Sequence, residues 1–425
     1  MSALTRRSAL ALAAGALAAG QAEAAAPVHR CEDLIDAIGV NVHLGHGGTP
    51  YVERFAACAE ALDTLGVRHL RDDIVLTGGE PAGQFARIAT LAARGYRFSL
   101  VFYDGLTPGP RVPPDQFAAI ARWAAGGLVI AEGGNEPPIA GRRDLPRLSA
   151  DHQTALFRAV RADARDSAVW VAGPSYIQGN VAAADNLAAV VDLGNIHAYP
   201  GAEHPETGGG GSLARFIAAS RPVFGPAPVI ATENGYHTAL ATGSAHLPVS
   251  EGIRARYLPR LLLWSYLQGV RRTYIYELIS SFDHGDGDPE SRFGLLAYDG
   301  RPTPAFTAVR NLVRLFGGGA AASGPGDIEA EPAAPTPDLV SARFARRDGT
   351  LLVPLWLGID GWDRRSLAAR PDVPPRAVDI LLSRQPRSLR LHRFADDGSV
   401  RVEGLRPERR VSVQVTDRLG VLEIT

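Results

Sequence analysis

The chain has 425 residues, 46% of them hydrophobic and 21% charged, which is the composition of an ordinary water-soluble globular protein with one large or two smaller domains. Its 44 basic and 45 acidic residues leave a formal net charge of −1, so no global field draws nucleic acid or an anionic membrane surface. All the basic residues are arginine, which we read as the codon bias of a GC-rich genome rather than as a binding surface.

At the N-terminus, Thr5-Arg6-Arg7-Ser8 precedes an alanine-rich apolar stretch from Ala9 to Gly20, and Ala22-Glu23-Ala24 offers a small-x-small cleavage site. This pattern predicts a secretion signal over residues 1–25, with the arginine pair of the twin-arginine route. The stretch falls short of the roughly 20 apolar residues of a membrane span. A mature protein beginning near Ala25 would work in the periplasm or outside the cell. Export makes a disulfide permissible, and Cys31 and Cys58 are the only cysteines. Their spacing leaves pairing open, and Cys58 on an apolar helix face also suits simple packing.

From residue 36 to 316, apolar runs alternate with amphipathic stretches. The predicted strands are Ile38–Leu44, Val67–Val75, Arg97–Tyr103, Gly127–Ala131, Ala168–Gly173, Leu193–His197, Pro228–Thr232 and Thr273–Ile279. The predicted helices are Tyr51–Leu65, Gln84–Ala93, Pro114–Ala125, Ala150–Asp166, Leu213–Ser220, Glu251–Gln268 and Thr303–Phe316, with a shorter one over Asn186–Val191. Such alternation implies a parallel sheet covered by helices, and eight repeats fit a (β/α)8 barrel better than an open sheet. No Gly-x-Gly-x-x-Gly follows the first run, which removes the main support for a dinucleotide fold.

After Gly317-Gly318-Gly319 and the alanine- and proline-rich Ala330–Pro337 the pattern changes. Leu339–Phe344, Leu351–Leu357, Ala377–Leu382, Ser388–Phe394, Val400–Val402 and Arg410–Val415 read as short strands separated by turns such as Asp348-Gly349 and Asp397-Gly398. The expected architecture is therefore α/β: a (β/α)8 TIM barrel over residues 26–320, followed by a small C-terminal antiparallel β-sandwich over 330–425.

In such a barrel, chemistry sits at the C-terminal ends of the strands. Those ends carry His43, Arg71 and Asp72, Tyr103 and Asp104, Asn135 and Glu136, Tyr176, His197 and Tyr199, Glu233, and Glu277. Two of these carboxylates stand just after buried apolar runs, in Gly134-Asn135-Glu136-Pro137 and Thr232-Glu233-Asn234-Gly235. An unpaired buried charge is expensive, so stability alone is a poor reason for such residues. Glu132 reads as lying inside the fourth strand and is set aside. His43-Leu44-Gly45-His46 lacks the alternate-residue spacing of a strand-borne metal pair, so no metal is assigned. The acidic loop Asp283–Glu290 matches no complete calcium motif.

Asn135-Glu136-Pro137 ending the fourth strand, paired with Glu233 in Ala231-Thr232-Glu233-Asn234-Gly235-Tyr236 ending the seventh, resembles the signature of glycoside hydrolase clan A. The resemblance spans about residues 36–316, including Phe293-Gly294-Leu295-Leu296 and Arg301-Pro302-Thr303-Pro304-Ala305-Phe306. The barrel-plus-sandwich layout is similar to family 39 and to bacterial exopolysaccharide glycosidases. The resemblance implies Glu136 as general acid/base, Glu233 as nucleophile, a retaining mechanism and a carbohydrate substrate, with no cofactor. A general acid needs a raised pKa, for which Pro137, Pro138 and Ile139 are the expected apolar wall. Asn135 would hold the sugar 2-hydroxyl, while Arg71, His197 and Tyr199 would orient Glu233. His43 would contact sugar, and Glu277 would either bind sugar hydroxyls or pair with an arginine. A transglycosylase shares every one of these residues; a non-catalytic glycan-binding barrel would not need both glutamates.

Overall fold

The computed structural model describes residues 27–76, 83–107, 111–140, 142–163, 168–177, 180–318 and 328–425. The expected secretion signal lies outside these residues. Eight strands form one parallel sheet: β1 (Ile38–Asn41), β2 (His69–Asp73), β3 (Arg97–Val101), β4 (Leu128–Glu132), β5 (Trp170–Ala172), β6 (Gly194–His197), β7 (Val229–Asn234) and β8 (Thr273–Ile275). Each pairs with the next, and β8 pairs back onto β1. Between β5 and β6 the ring is completed by single bridges, Ala172 to Leu193 and Tyr176 to Ile196. The result is the TIM barrel expected from the alternation.

Local signals place the helices. Ser250 caps helix Glu251–Leu267 by accepting from the Ile253 N–H, and Thr303 caps Pro304–Gly317 by accepting from Phe306. Gly66, at φ 84°, closes helix Phe55–Leu65 in the left-handed conformation that a side chain disfavours. Two helices run longer than their apolar period indicates, Leu145–Ala162 at its start and Leu213–Phe224 at its end. Among the described residues, no helix is long and apolar enough to cross a membrane. Both cysteines are buried with free thiols, and burial pushes Cys31 up to about 12 and Cys58 to about 11.

The C-terminal strands form two facing sheets. One comprises Ala330–Pro332, Arg376–Leu382 and Arg410–Val415; the other is built around Leu351–Leu357, Leu389–Phe394, Val400–Leu405 and Gly420–Ile424. Alternate residues of both sheets, among them Val353, Leu355, Ile380, Val413 and Leu422, meet in one apolar core, as a sandwich requires. The strand Val28–Arg30, which precedes the barrel, pairs in parallel with Arg343–Ala345 and so joins this sheet.

Helix Glu251–Leu267 is the seam between the two layers. Arg260 is fully buried, donates from Nε to Glu206 at 3.1 Å and from Nη1 to the Asp417 carbonyl at 2.8 Å. Arg256 binds Asp417 at 2.6 Å and Asp396 at 2.6 Å, and Trp356 donates its indole N–H to Glu206 at 2.6 Å. Burying charges is tolerable only where they are paired.

Candidate active site

The polar residues at the strand ends converge on Arg71, which leaves β2 inside the barrel and is almost wholly buried. Its Nε and Nη2 donate to the two oxygens of Glu132 at 3.0 and 2.8 Å. Its Nη1 reaches Glu233 Oε1 at 2.5 Å and Asn41 Oδ1 at 3.2 Å, and Nη2 also reaches Asn135 Oδ1 at 2.5 Å. One guanidinium on β2 thus binds side chains from β1, from β4 and the segment after it, and from β7. Its fork makes the Glu132 contact bidentate, which fixes the direction of the remaining donors.

Glu132 is not the bystander expected from its position. It ends β4, is fully buried, and also accepts from Asn195 at 3.0 Å, Thr232 at 3.1 Å and Ser99 at 3.3 Å. It holds Arg71, and through Arg71 it holds Glu233. Asn41, Arg71, Glu132 and Asn195 take inward positions on β1, β2, β4 and β6, so strand alternation marks Glu132 as interior but does not name its partner.

Thr232 and Glu233 are adjacent, yet both face the barrel interior. A regular strand would send them to opposite sides. The register of β7 slips against β8 between Ala231 and Asn234, and against β6 between Ile196 and His197. This bulge turns the strand end so that Thr232 bonds Asn195 at 2.8 Å while Glu233 faces Arg71 and Tyr199. Glu233 Oε2 accepts from the Tyr199 hydroxyl at 2.7 Å and lies 3.4 Å from His197 Nδ1.

Glu136 sits beyond β4 at φ 43°, a conformation that costs a non-glycine residue roughly 1–2 kcal/mol. The Ser175 carbonyl holds it there by accepting the Glu136 N–H at 2.9 Å. The approach needs Gly134, since a Cβ there would stand 2.4 Å from Asp104 Oδ2. Glu136 Oε1 lies 2.7 Å from His197 Nδ1, and the other ring nitrogen of His197 is 3.1 Å from Thr232 Oγ1. One oxygen of Glu136, one of Glu233 and a nitrogen of His197 all fall within 4.8 Å of one another.

The expected rise in the Glu136 pKa is not found. Burial pushes it up, but the hydrogen bond and charge of His197, with Arg71 behind, outweigh burial and hold the carboxyl below its usual range. The apolar flank points elsewhere: Ile139 packs with Leu145 and Tyr176, and Pro138 faces solvent.

The other expected residues divide by access. Asn135 and Tyr199 are half-buried at the mouth beside Glu136 and Glu233. His197 and Arg71 are too deeply buried to grip sugar and instead position the two glutamates. Glu277 is also fully buried, which removes it from sugar contact, and no arginine among the described residues pairs with it. Its carboxylate accepts from Tyr51 at 3.0 Å and from the Ser281 hydroxyl at 3.0 Å, and it stands 3.2 Å from His43 Nε2. Burial opposes charge on His43, but Asp73 and Glu277 outweigh it and hold the imidazole well above its ordinary range. His43 is half-buried, and beyond it Asp73 accepts from His46 at 2.9 Å.

Asp72 and Asp104 turn away into local bonds with Gln84, the Leu44 N–H and the Leu106 N–H. His43, His46 and Asp73 form a second group of ligand atoms within 4.8 Å of one another, with His46 bonded to Asp73 at 2.9 Å and His43 3.6 Å from it. In the acidic loop, Asp283 and Asp286 face Arg292, Asp288 bonds Ser291, and Glu290 accepts from Tyr276.

No family model matches the chain, and no curated protein matches it. Solved structures do. A family 39 glycoside hydrolase from the gut symbiont Bacteroides cellulosilyticus WH2 is 15% identical, with 94% of this chain and 83% of that one covered at a TM-score of 0.63. A glucosidase from Croceicoccus marinus is 14% identical, with 94% and 97% covered at 0.61. The likeness covers barrel and sandwich together, so the chain shares its whole fold with these TIM-barrel glycosidases.

Proposed function

We propose that the chain is an exported retaining glycoside hydrolase that cleaves O-glycosidic bonds of an oligo- or polysaccharide by double displacement. The observation that carries the reading is the pair of mouth-facing carboxyls, Glu136 and Glu233, with oxygens within 4.8 Å of each other. Retaining enzymes hold their two carboxyl groups about 5–5.5 Å apart, whereas inverting ones need about 6.5–9.5 Å to admit water between them. The N-terminal segment supports export.

In the first step a Glu233 oxygen attacks the anomeric carbon as the glycosidic C–O bond breaks and Glu136 delivers its proton to the departing oxygen. Arg71 and Tyr199 fix Glu233 in line for the attack. In the second step Glu136 takes a proton from water, the water oxygen bonds the anomeric carbon, and Glu233 leaves. Glu136 rests ionised against His197, so it must gain a proton before the first step. Substrate filling the mouth strips water from a carboxyl that is 35% exposed in the free protein, and that desolvation favours the neutral form.

Two variants test the assignment. Glu233→Ala should lose roughly 10⁴–10⁶-fold in turnover of an activated aryl glycoside. Azide should partly restore it, giving a glycosyl azide of inverted configuration; wild-type turnover in this variant would refute the nucleophile. Glu136→Ala should slow poor leaving groups far more than good ones, and equal losses on both would refute the acid.

A further inference from the structure

The opposite end of the barrel carries a second charged assembly that the catalytic reading does not use. Where the strands begin, Arg68, Arg97, Arg271 and Arg272 line a hollow of about 420 Å³, together with His69, Asp36 and Trp170. Arg68 immediately precedes β2, Arg97 opens β3, Trp170 opens β5, and Arg271 and Arg272 lead into β8. Arg272 is already committed, since it donates to the Asp36 carboxylate at 2.7 Å and to its carbonyl at 2.9 Å. His69 is 2.7 Å from the same carboxylate.

Arg68, Arg97 and Arg271 differ from it. No carboxylate among the described residues lies within ion-pair distance of any of the three, and the nearest one in the hollow, Asp36, is taken by Arg272 and His69. They are nevertheless held. The Arg68 guanidinium stacks on Tyr96 at 5.2 Å, Arg271 stacks on Trp170 at 4.2 Å, and Arg97 donates to the Tyr96 carbonyl at 3.2 Å. Stacking fixes a guanidinium plane through its face and leaves its N–H edge free. Four arginines line a hollow whose one described carboxylate, Asp36, is already engaged by Arg272 and His69, so the three other cations repel one another there. The arrangement is relieved by an anion that accepts from several forks at once.

We propose that this hollow is a binding site for a tetrahedral oxyanion, a phosphate or sulfate group, either free or as an ester on a sugar. The volume far exceeds the ~30 Å³ share of one water, so the group enters with solvent or with part of the molecule that bears it. Lying at the N-terminal end of the strands, it is separate from Glu136 and Glu233 at the other end. A ligand there would anchor a charged glycan or sense the ion without blocking the catalytic mouth.

Isothermal titration of the whole protein in a phosphate-free buffer, with ionic strength held constant, tests it. Inorganic phosphate, sulfate and glucose 6-phosphate are the probes. Wild type should bind phosphate or sulfate saturably at one site, and the Arg97→Ser/Arg271→Ser double variant should bind at least tenfold more weakly. Glucose 6-phosphate binding tighter than inorganic phosphate identifies the sugar ester as the source; binding of the inorganic ions alone identifies the free ion. The exposed positions of both arginines and an unchanged rate on an aryl glycoside establish that the variant is folded. No saturable heat with any probe, or equal affinity in wild type and variant, overturns the proposal.

Discussion

At the barrel mouth Arg71 bonds Glu132 and Glu233; at the seam with the sandwich Arg260 and Arg256 bond Glu206, Asp417 and Asp396. Both are buried arginine–carboxylate clusters of similar geometry. They differ in how their carboxylates face water. At the seam Glu206 and Asp417 are nearly inaccessible, with Arg260 and Trp356 closed around Glu206, and Asp396 reaches the surface at the rim. At the mouth the shell is open on one side, so that Glu233 keeps 12% and Glu136 keeps 35% of its side chain accessible. On the proposed function, the same ion-pair chemistry serves stability at the seam and reactivity at the mouth.

The comparison is broken most severely by Arg71→Met. It should cost about 10²–10³-fold in kcat by releasing Glu233 and Asn135. Leaving Glu132 buried without its cation should also cost about 3–5 kcal/mol in denaturant unfolding. Arg260→Met should cost a similar 3–5 kcal/mol through stranded Glu206, with kcat unchanged once folded. If Arg260→Met lowered kcat as much as Arg71→Met, the two clusters would not be functionally distinct.

His197→Ala sharpens the comparison on the acid side. The acid must be protonated to act, so kcat/KM of the free enzyme falls as pH rises through the Glu136 pKa. His197 holds that value below the ordinary 4.5. Removing it lets the carboxyl rise, so the alkaline fall should move to higher pH. An unmoved fall would show that another group is the acid. Asp396→Asn should do least: its side chain is 35% exposed, so losing its ion pairs should cost about 1 kcal/mol or less and leave activity intact.

The strand numbers of Glu136 and Glu233 were legible because each ends a local apolar run, and such runs show in the chain itself. The arrangement around them was not. Glu132 looks like a strand interior residue until Arg71, 61 positions away, is seen bonded to it. The slip in β7 that brings Thr232 and Glu233 inward depends on pairing with β6 and β8, which no local pattern encodes. The low pKa of Glu136 runs against its apolar flank because His197, also 61 positions away, is the nearer influence. Glu277 at a strand end resembled the sugar-gripping residues, and only its full burial against Tyr51 separates it from them. In the sandwich, Leu351–Leu357 and Arg410–Val415 were legible with their bounds, whereas Gly420–Ile424 and the pairing of Val28–Arg30 were missed. Short strands without alternation acquire their register only from partners.

The stereochemistry of hydrolysis tests the central claim most directly. On the aryl glycoside that turns over fastest in a panel of sugars and anomers, proton NMR of the first-formed hemiacetal, recorded before mutarotation, should show the anomer of the substrate. The opposite anomer would mean that water attacks in one step, and would contradict the assignment of Glu233 as nucleophile.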